Sequence, residues 1–343
     1  MLSRRKAAAG NAIGKIALAA LVILCVAALV GAAKWAGRPA NETAGGLINT
    51  EQAGGSKVYF SSDISAKGIL AVYRAMQSGV VPAIPVSGKV AIKLHMGEPG
   101  NQNFLKPELL RDLANELKGS FVDSNTAYGG RRGSTQSHLQ AAKEHGFGYA
   151  PIDILDAEGD VKLPVKNGKH LGEALLGSHI MGYDWIVSVA HFKGHSMAGF
   201  GGTFKNLAIG IATPDGKRII HSNPGGAMFS SSGEFFFEKI IEYNMALMDA
   251  KKGKMLYINV LNNLSVDCDC SARAGAPVMP DIGVMASLDP VALEKASLDM
   301  IYARPASERK ALTDRIESRG GIHQVIYGEK MGLGSQAYEL VRL

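Results

Sequence analysis

Apolar and polar positions alternate along this chain in two distinct ways. The first apolar run, Ile16–Ala33, is unbroken and sits between Lys15 and Lys34. At 1.5 Å per helical residue it spans roughly 27 Å, enough to cross a bilayer with its flanking lysines at the two surfaces. It is longer than the roughly 7–15 apolar residues of a signal-peptide core. The expectation is an uncleaved anchor, with export after cleavage near Val30-Gly31-Ala32-Ala33 as the alternative. The basic cluster Arg4, Arg5 and Lys6 predicts a cytoplasmic N-terminus, a membrane-anchored chain and a folded domain on the extracytoplasmic side. Residues 1–15 thus form a basic segment and 16–33 an anchor or signal sequence. Residues 34–56, rich in Gly, Ala, Asn and Thr without periodicity, read as a flexible linker. Residues 57–343 read as the folded domain.

From Lys57 onward the runs shorten and change period. Strands are expected at Val58–Phe60, Val90–Leu94, Phe121-Val122, Ile152–Leu155, Trp185–Val189, Met255–Val260, Ile282–Ala286 and Tyr338–Val341. Helices are expected from Asp63 or Ser65 to Ser78, over Pro107–Leu117, Ser134–His145, Leu171–Met181, Glu234–Ala250, Val291–Tyr302, Ser307–Ser318 and Ile322–Met331. Val161–Val165, with Asn167-Gly168 beside it, reads as a short polar hairpin. Strands alternating with helices give an α/β fold, a mainly parallel sheet with helices on both faces, preceded by one N-terminal transmembrane helix.

Polar, Gly-rich stretches follow the strands rather than precede them. His95–Asn101 follows the second strand, Asp123–Arg132 the third, His191 onward the fifth, Asn262–Cys270 the sixth and Ser287–Asp289 the seventh. In an open α/β sheet ligands bind at the carboxyl ends of strands. Five segments far apart in sequence are therefore expected to meet at one crevice.

The densest of these is His191–Ile211, HFKGHSMAGFGGTFKNLAIGI. Thr203 can cap a helix whose apolar stripe is Phe204, Leu207, Ala208 and Ile211. Lys205 and Asn206 lie in its first turn, off the stripe. A cation there opposes the helix dipole, which points to an anionic or polar ligand, since N–H groups at a helix N-terminus favour anions.

Composition narrows the classes. The net charge of +6 is carried by six basic residues within positions 1–40, which hold no Asp or Glu, so the remainder is neutral. That excludes the basic footprint of a nucleic-acid binder. A Walker-type phosphate loop and a G-x-G-x-x-G after the first strand are both missing.

Cys268-Asp269-Cys270 is the most specific local signal. In extended chain, residues i and i+2 face the same way, so two thiols can share a metal; a direct disulfide would be strained. A redox pair and unreactive structural cysteines are the other two readings. The flanking Asp267 and Asp269 are expected to raise the thiol pKa. His191 and His195 would complete a tetrahedral set with the cysteines. His95, His191 and Lys193 are the candidate catalytic groups, the imidazoles as general base. Asn125, Arg131, Arg132, Lys205 and Asn206 are the candidate ligand-binding groups, the guanidinium pair as a carboxylate or phosphate clamp. Glu98 and Asp123 are candidate acids or bases.

With these residues in view the chain resembles the DUF362 family of iron–sulfur-centre-like proteins from about Lys57 to its end. The carrying stretches are VYFSSDIS, KVAIKLHMGEPGN, VDSNTAYGGRRGST, HFKGHSMAGFGGTFKNLAIGIA, NVLNNLSVDCDC and DIGVMASLDPVAL. Many relatives carry an inserted ferredoxin module with Cys-x-x-Cys repeats, which this sequence lacks. An all-cysteine cluster needs four thiolates, so an iron–sulfur cluster here would need shared or non-cysteine ligands. The family is distantly similar to nickel-dependent lactate racemases, whose site sets His and Lys around a nickel cofactor, an arrangement that would suit His191, Lys193, His195 and Lys205. The resemblance implies a metal-binding, redox-related protein. The alternatives are an enzyme of oxidoreductase or isomerase type acting on a small anionic substrate, and a non-catalytic ligand-binding protein.

Overall fold

The structure, a computed structural model, describes residues 51–79 and 87–343. The apolar run Ile16–Ala33, the basic segment before it and linker residues 34–50 lie outside the described residues. Among the described residues no helix is long and apolar enough to cross a membrane.

Strand β1 (Glu51–Ser61) begins inside the stretch expected to be linker, because its backbone pairs with the last strand of the chain. Helix α1 (Ala66–Ser78) is capped by Ser65, whose hydroxyl accepts from the Gly68 amide. Then come β2 (Val90–Lys93), a 3-10 turn (Pro107–Leu110) running into α2 (Arg111–Leu117), β3 (Ser120–Asp123), α3 (Thr135–Glu144) and β4 (Ile152–Ile154). The expected hairpin is β5 (Asp160–Pro164) against β6 (Glu173–Gly177). Leu171–Met181 is therefore not a helix: Ala174 and Leu176 are buried at a spacing of two, which is the period of a strand, and a 3-10 turn follows at Ser178–Gly182. After β7 (Trp185–His191) a small hairpin, β8 (Lys193–His195) with β9 (Gly199–Gly201), shapes what looked like plain loop.

Helix α4 (Thr203–Ile211) follows, then α5 (Pro214–His221), α6 (Gly233–Lys251), β10 (Met255–Leu261), β11 (Gly283–Ser287), α7 (Pro290–Tyr302), α8 (Ala306–Arg319), α9 (His323–Lys330) and β12 (Tyr338–Arg342). α5 has the start signals that Thr213-Pro214 announces: the Thr213 hydroxyl accepts from the Gly216 amide and Pro214 takes the first helical position. Asp289 caps α7, accepting from the amides of Val291 and Ala292.

Among the described residues the main sheet has eight strands in the order β12-β1-β11-β10-β7-β2-β3-β4. All run the same way except β11, which is antiparallel to both neighbours. Helices cover both faces: α4, α6 and α7 contribute to one apolar core, α1, α2 and α3 to the other. Strands buried on both faces read as continuous apolar runs, and β2, β10 and β11 are buried at every position. Chain order reverses between β2 and β7: β3 and β4 lie on one side of that pair, β10 and β11 on the other. A crevice opens at the carboxyl ends of strands at such a switch point. Because β11 runs backwards, Ser287–Asp289 leave from the opposite edge; four of the five expected segments can meet, and the fifth caps a helix instead.

Candidate functional site

A cavity of about 200 Å³ opens at that switch point. His95 follows β2, Asp123 ends β3, His191 ends β7, and Cys268 and Cys270 come from the long loop after β10; all line it. Five basic side chains line it too, Lys93, Arg132, Lys193, Lys205 and Lys217, against Asp123 as the lining carboxylate.

The floor is an internal charge network. Lys93 is fully buried although it sits in an apolar strand. Its Nζ donates to the Leu94 carbonyl at 2.7 Å and to Asn206 Oδ1 at 3.1 Å, and it lies 3.1 Å from Asp123 Oδ1. Gly210 of α4 makes room for this ammonium: a Cβ there would collide with Lys93 Nζ. Burial raises Asp123, but Lys93 and His138 outweigh it and hold the carboxyl well below its ordinary range. Arg132 donates to Glu98 Oε2 at 2.7 Å and lies 3.8 Å from Asp123. Glu98 also accepts from the Arg131 amide, so both candidate carboxylates hold the protein together rather than face a ligand alone.

The wall toward β10 is built around Asp269. Its carboxylate lies 2.9 Å from His191 Nδ1 and 3.0 Å from Lys193 Nζ, all three buried. His191 Nε2 faces the Asn262 carbonyl at 2.6 Å. Both ring nitrogens are therefore engaged by acceptors of the protein itself, and neither is turned toward a metal or a substrate. Burial raises Asp269, but His191 and Lys193 overcome this and depress it strongly. Burial alone would lower Lys193, yet Asp269 and Cys268 raise it. Gly194 lets the β8–β9 hairpin touch the cysteine loop; its amide donates to the Ser265 carbonyl at 2.8 Å, and a Cβ would collide with the Val266 carbonyl. The same loop is tied to the segment after β2. The Glu98 amide donates to the Asp269 carbonyl at 3.0 Å, Asn101 to the Ser271 carbonyl at 2.7 Å and Asn103 to the Gly275 carbonyl at 2.7 Å.

His195, Cys268 and Cys270 bring their donor atoms within 4.8 Å of one another. Cys268 accepts from the Cys270 amide at 3.5 Å and lies 3.8 Å from Lys205 Nζ. The flanking acids do not decide the state of Cys268: Asp269 is bound as described and Asp267 pairs with Arg315 at 3.1 Å. Instead the Cys270 thiol hydrogen-bonds to it and, against burial, that bond together with Lys205, Lys193 and His195 holds Cys268 well below the usual thiol range. Cys270, as the donor of that bond and by its burial, is pushed well above. Lys205 thus faces the cavity, as its position off the apolar stripe predicts.

The helix dipole behind Lys205 is answered from within the protein. Thr203 does not cap α4; its hydroxyl bonds Ser188 Oγ at 2.7 Å. Buried Glu294, from α7, accepts from the Phe204 amide at 2.9 Å and from Asn259 at 3.2 Å. Burial pushes its carboxyl up to about 7.

His95 and His195 share one device. The amide two residues on donates to Nδ1 in each: Gly97 to His95 at 3.0 Å, Met197 to His195 at 3.1 Å, with Ala198 adding a second bond at 2.9 Å. A neutral imidazole with Nδ1 accepting carries its proton on Nε2. Burial keeps both rings neutral, His95 pushed well below its ordinary value and His195 down to about 4, with Lys205 adding to the second shift. His95 Nε2 is buried without a partner. Its accepting lone pair is already taken, so His95 is a donor aimed into the cavity rather than a general base.

Two ligand-binding candidates fall elsewhere and a third is taken up within the protein. Arg131 turns outward and pairs with Glu144. Asn125 is not part of the lining; it donates to Thr135 Oγ1 at 3.0 Å. Asn206 lines the cavity, but its amide bridges Lys93 and Ser188. Lys217, His221, Tyr128 and Phe229 complete the lining without having been read as site residues. Lys93 had a visible signal, a lysine inside an apolar strand, since lysine is almost never fully buried unless paired.

Taken together these residues define an α/β protein with a basic, thiol-bearing cavity at its sheet switch point. A family model described as a domain of unknown function, DUF362, matches residues 90–299. The match covers more than half of the 343 residues, and the chain belongs to the DUF362 family. No curated protein matches it. Among solved structures, the lactate racemase apoprotein from Thermoanaerobacterium thermosaccharolyticum is 18% identical over 62% of this chain and 52% of its own, with a TM-score of 0.36. This chain therefore spans about half the length of that racemase structure. A Thermotoga maritima protein is 9% identical over 76% of this chain and 58% of its own, with a TM-score of 0.35. At these scores neither likeness bears on the site.

Proposed function

We propose that this chain is a metal-binding protein in which Cys268, Cys270 and His195 hold one thiophilic ion at the wall of a cavity that admits a small anion. The grouping of those three donor atoms within 4.8 Å carries the reading. Two thiols and one imidazole suit zinc and other soft or borderline ions. Three protein ligands leave a fourth position open toward the cavity, the pattern of a reactive rather than a purely structural site. The sequence has three cysteines in all, so an all-cysteine iron–sulfur cluster does not fit a single chain. Cys270 holds its proton in the metal-free protein, so loading releases that proton, and His195 would bind through Nε2 only after the ring gives up its present tautomer.

The purified full-length protein should bind about one equivalent of zinc or a similar ion by elemental analysis. In Cys268→Ser and Cys270→Ser affinity should fall roughly 100-fold or more, beyond the range for removing a supporting group. Unchanged metal content in both variants would end the reading.

The anion half rests on the five basic side chains and on the partnerless His95 Nε2 donor, which wants an acceptor such as a carboxylate oxygen. Because Glu294 already answers the α4 dipole, Lys205 is free to serve a ligand. Lys205→Met should leave or slightly raise stability while weakening binding of oxamate, a small carboxylate, by about 1.5–3 kcal/mol, the range for a hydrogen bond to a charged group. Equal oxamate titrations for the two proteins would return Lys205 to a solubility role. The identity of the ion decides whether the site is redox-active. The basic residues ahead of Ile16–Ala33 support the further proposal that the chain is membrane-tethered, with this domain on the extracytoplasmic side.

A further inference from the structure

The four lysines of the cavity are not equivalent. Lys93 Nζ has three acceptors around it, the Leu94 carbonyl, Asn206 and Asp123. Lys193 is paired with Asp269, and Lys205 lies against Cys268. Lys217 differs. It is buried, it lines the cavity, and its single acceptor is the Ala212 carbonyl at 2.6 Å. Among the described residues no carboxylate lies within ion-pair distance of it. An amine so placed keeps its lone pair free and is surrounded by groups that disfavour a further positive charge.

We propose that Lys217 is an amine nucleophile that forms an imine with a small 2-oxo acid admitted to the cavity. The proposal rests on the anion reading of the same cavity, which supplies the carboxylate's partners: the His95 Nε2 donor, Arg132 and Lys205. Burial pushes the Lys217 ammonium down to about 7; Asp123 and Asp156 pull it up, and Lys93 and Arg132 push it down further. Near neutral pH a large share of the side chain is therefore unprotonated, as a lysine nucleophile requires. The Nζ lone pair attacks the carbonyl carbon and a C–N bond forms. The carbonyl oxygen then leaves as water, taking the two amine hydrogens, and a C=N bond remains. No oxidant or reductant is consumed.

Holding the carboxylate beside a fixed amine makes the attack intramolecular in effect, which favours a 2-oxo acid over a neutral ketone of the same size. The test is reductive trapping of the full-length protein with pyruvate and sodium cyanoborohydride, followed by peptide mass mapping. The expected result is one secondary-amine adduct, on Lys217, with acetone labelling it at least tenfold less. Lys217→Arg, which keeps a donor for the Ala212 carbonyl, should give no adduct while circular dichroism matches the parent. No adduct in the parent, or adducts spread over other lysines, overturns the proposal. If oxamate binds by calorimetry and pyruvate leaves no adduct, the imine is overturned while the anion reading survives. If acetone and pyruvate label Lys217 equally, the amine chemistry stands and the anion reading falls.

Discussion

Asp269→Ala should destabilise the fold by about 3–5 kcal/mol, the cost of stripping one partner from a buried ionic group. The reason is in the wall it holds. Asp269 is the anion shared by His191 at 2.9 Å and Lys193 at 3.0 Å, and all three side chains are buried. Removing it leaves a buried ammonium and an imidazole without their acceptor. Asp269→Asn keeps the shape and an acceptor oxygen and should cost less. Urea unfolding monitored by circular dichroism measures both. A loss below about 1 kcal/mol for the alanine variant would mean that the network is dispensable, because an exposed pair is worth no more than that. The folded Asp269→Asn protein should also bind zinc more weakly by roughly 10–100-fold, because the wall that Asp269 ties to His191 and Lys193 carries Cys268 and Cys270 on either side of it.

The second large effect depends on pH. Glu294 has its carboxyl pushed from 4.5 to about 7 by burial, with the Phe204 amide and Asn259 pulling the other way. A carboxyl whose folded value lies above its unfolded one keeps its proton through an interval in which the unfolded chain has lost it. Stability from this group therefore falls as pH rises from about 4.5 to about 7, by about 3 kcal/mol. Glutamine at this position mimics the protonated form. Glu294→Gln should match the parent near pH 4.5 and exceed it by about 3 kcal/mol above pH 7. The readout is the difference between the two proteins, because His195 and His221, pushed down mainly by burial to about 4 and about 3, give both of them the opposite slope over part of that interval. A difference that stays constant with pH would show that Glu294 is ionised throughout.

Much of the fold can be read from the chain because the central strands are buried on both faces. β2, β7 and β10 carry nearly unbroken apolar runs, and the polar stretches after them fall at one sheet edge by topology alone. β6 escaped because Leu171–Met181 has enough apolar residues to satisfy a helix, and only the spacing of Ala174 and Leu176 tells otherwise. The β8–β9 hairpin escaped because glycines and polar residues leave no period to read. α5 escaped because a Gly and three charges, Asp215, Lys217 and Arg218, occupy its first turns, although Thr213-Pro214 marks its start.

The gathering of His95, Asp123, His191, His195, Cys268 and Cys270 followed from strand order, but their roles did not. Arg131 and Arg132 are neighbours in sequence and face opposite ways, one toward solvent and Glu144, the other into the protein. His191 looked like a ligand until its two acceptors were seen. The carboxyl that answers the α4 amides comes from Glu294, far along the chain, where no local pattern could show it. Lys217 was hidden because its helix was.

The ties between the segment after β2 and the cysteine loop after β10 have a geometric consequence. β2 and β10 are not adjacent; β7 lies between them. Three hydrogen bonds, from Glu98, Asn101 and Asn103 to the carbonyls of Asp269, Ser271 and Gly275, therefore span the end of β7 like a roof. On the other side of the lining Tyr128 and Phe229, its two exposed aromatic rings, lie tilted together with centroids 5.4 Å apart beside His221. With Ser196 these rings are exposed parts of the lining, whereas Lys93, Lys193 and Lys217 are buried, so a molecule arriving past them meets aromatic and hydroxyl groups before those three charges.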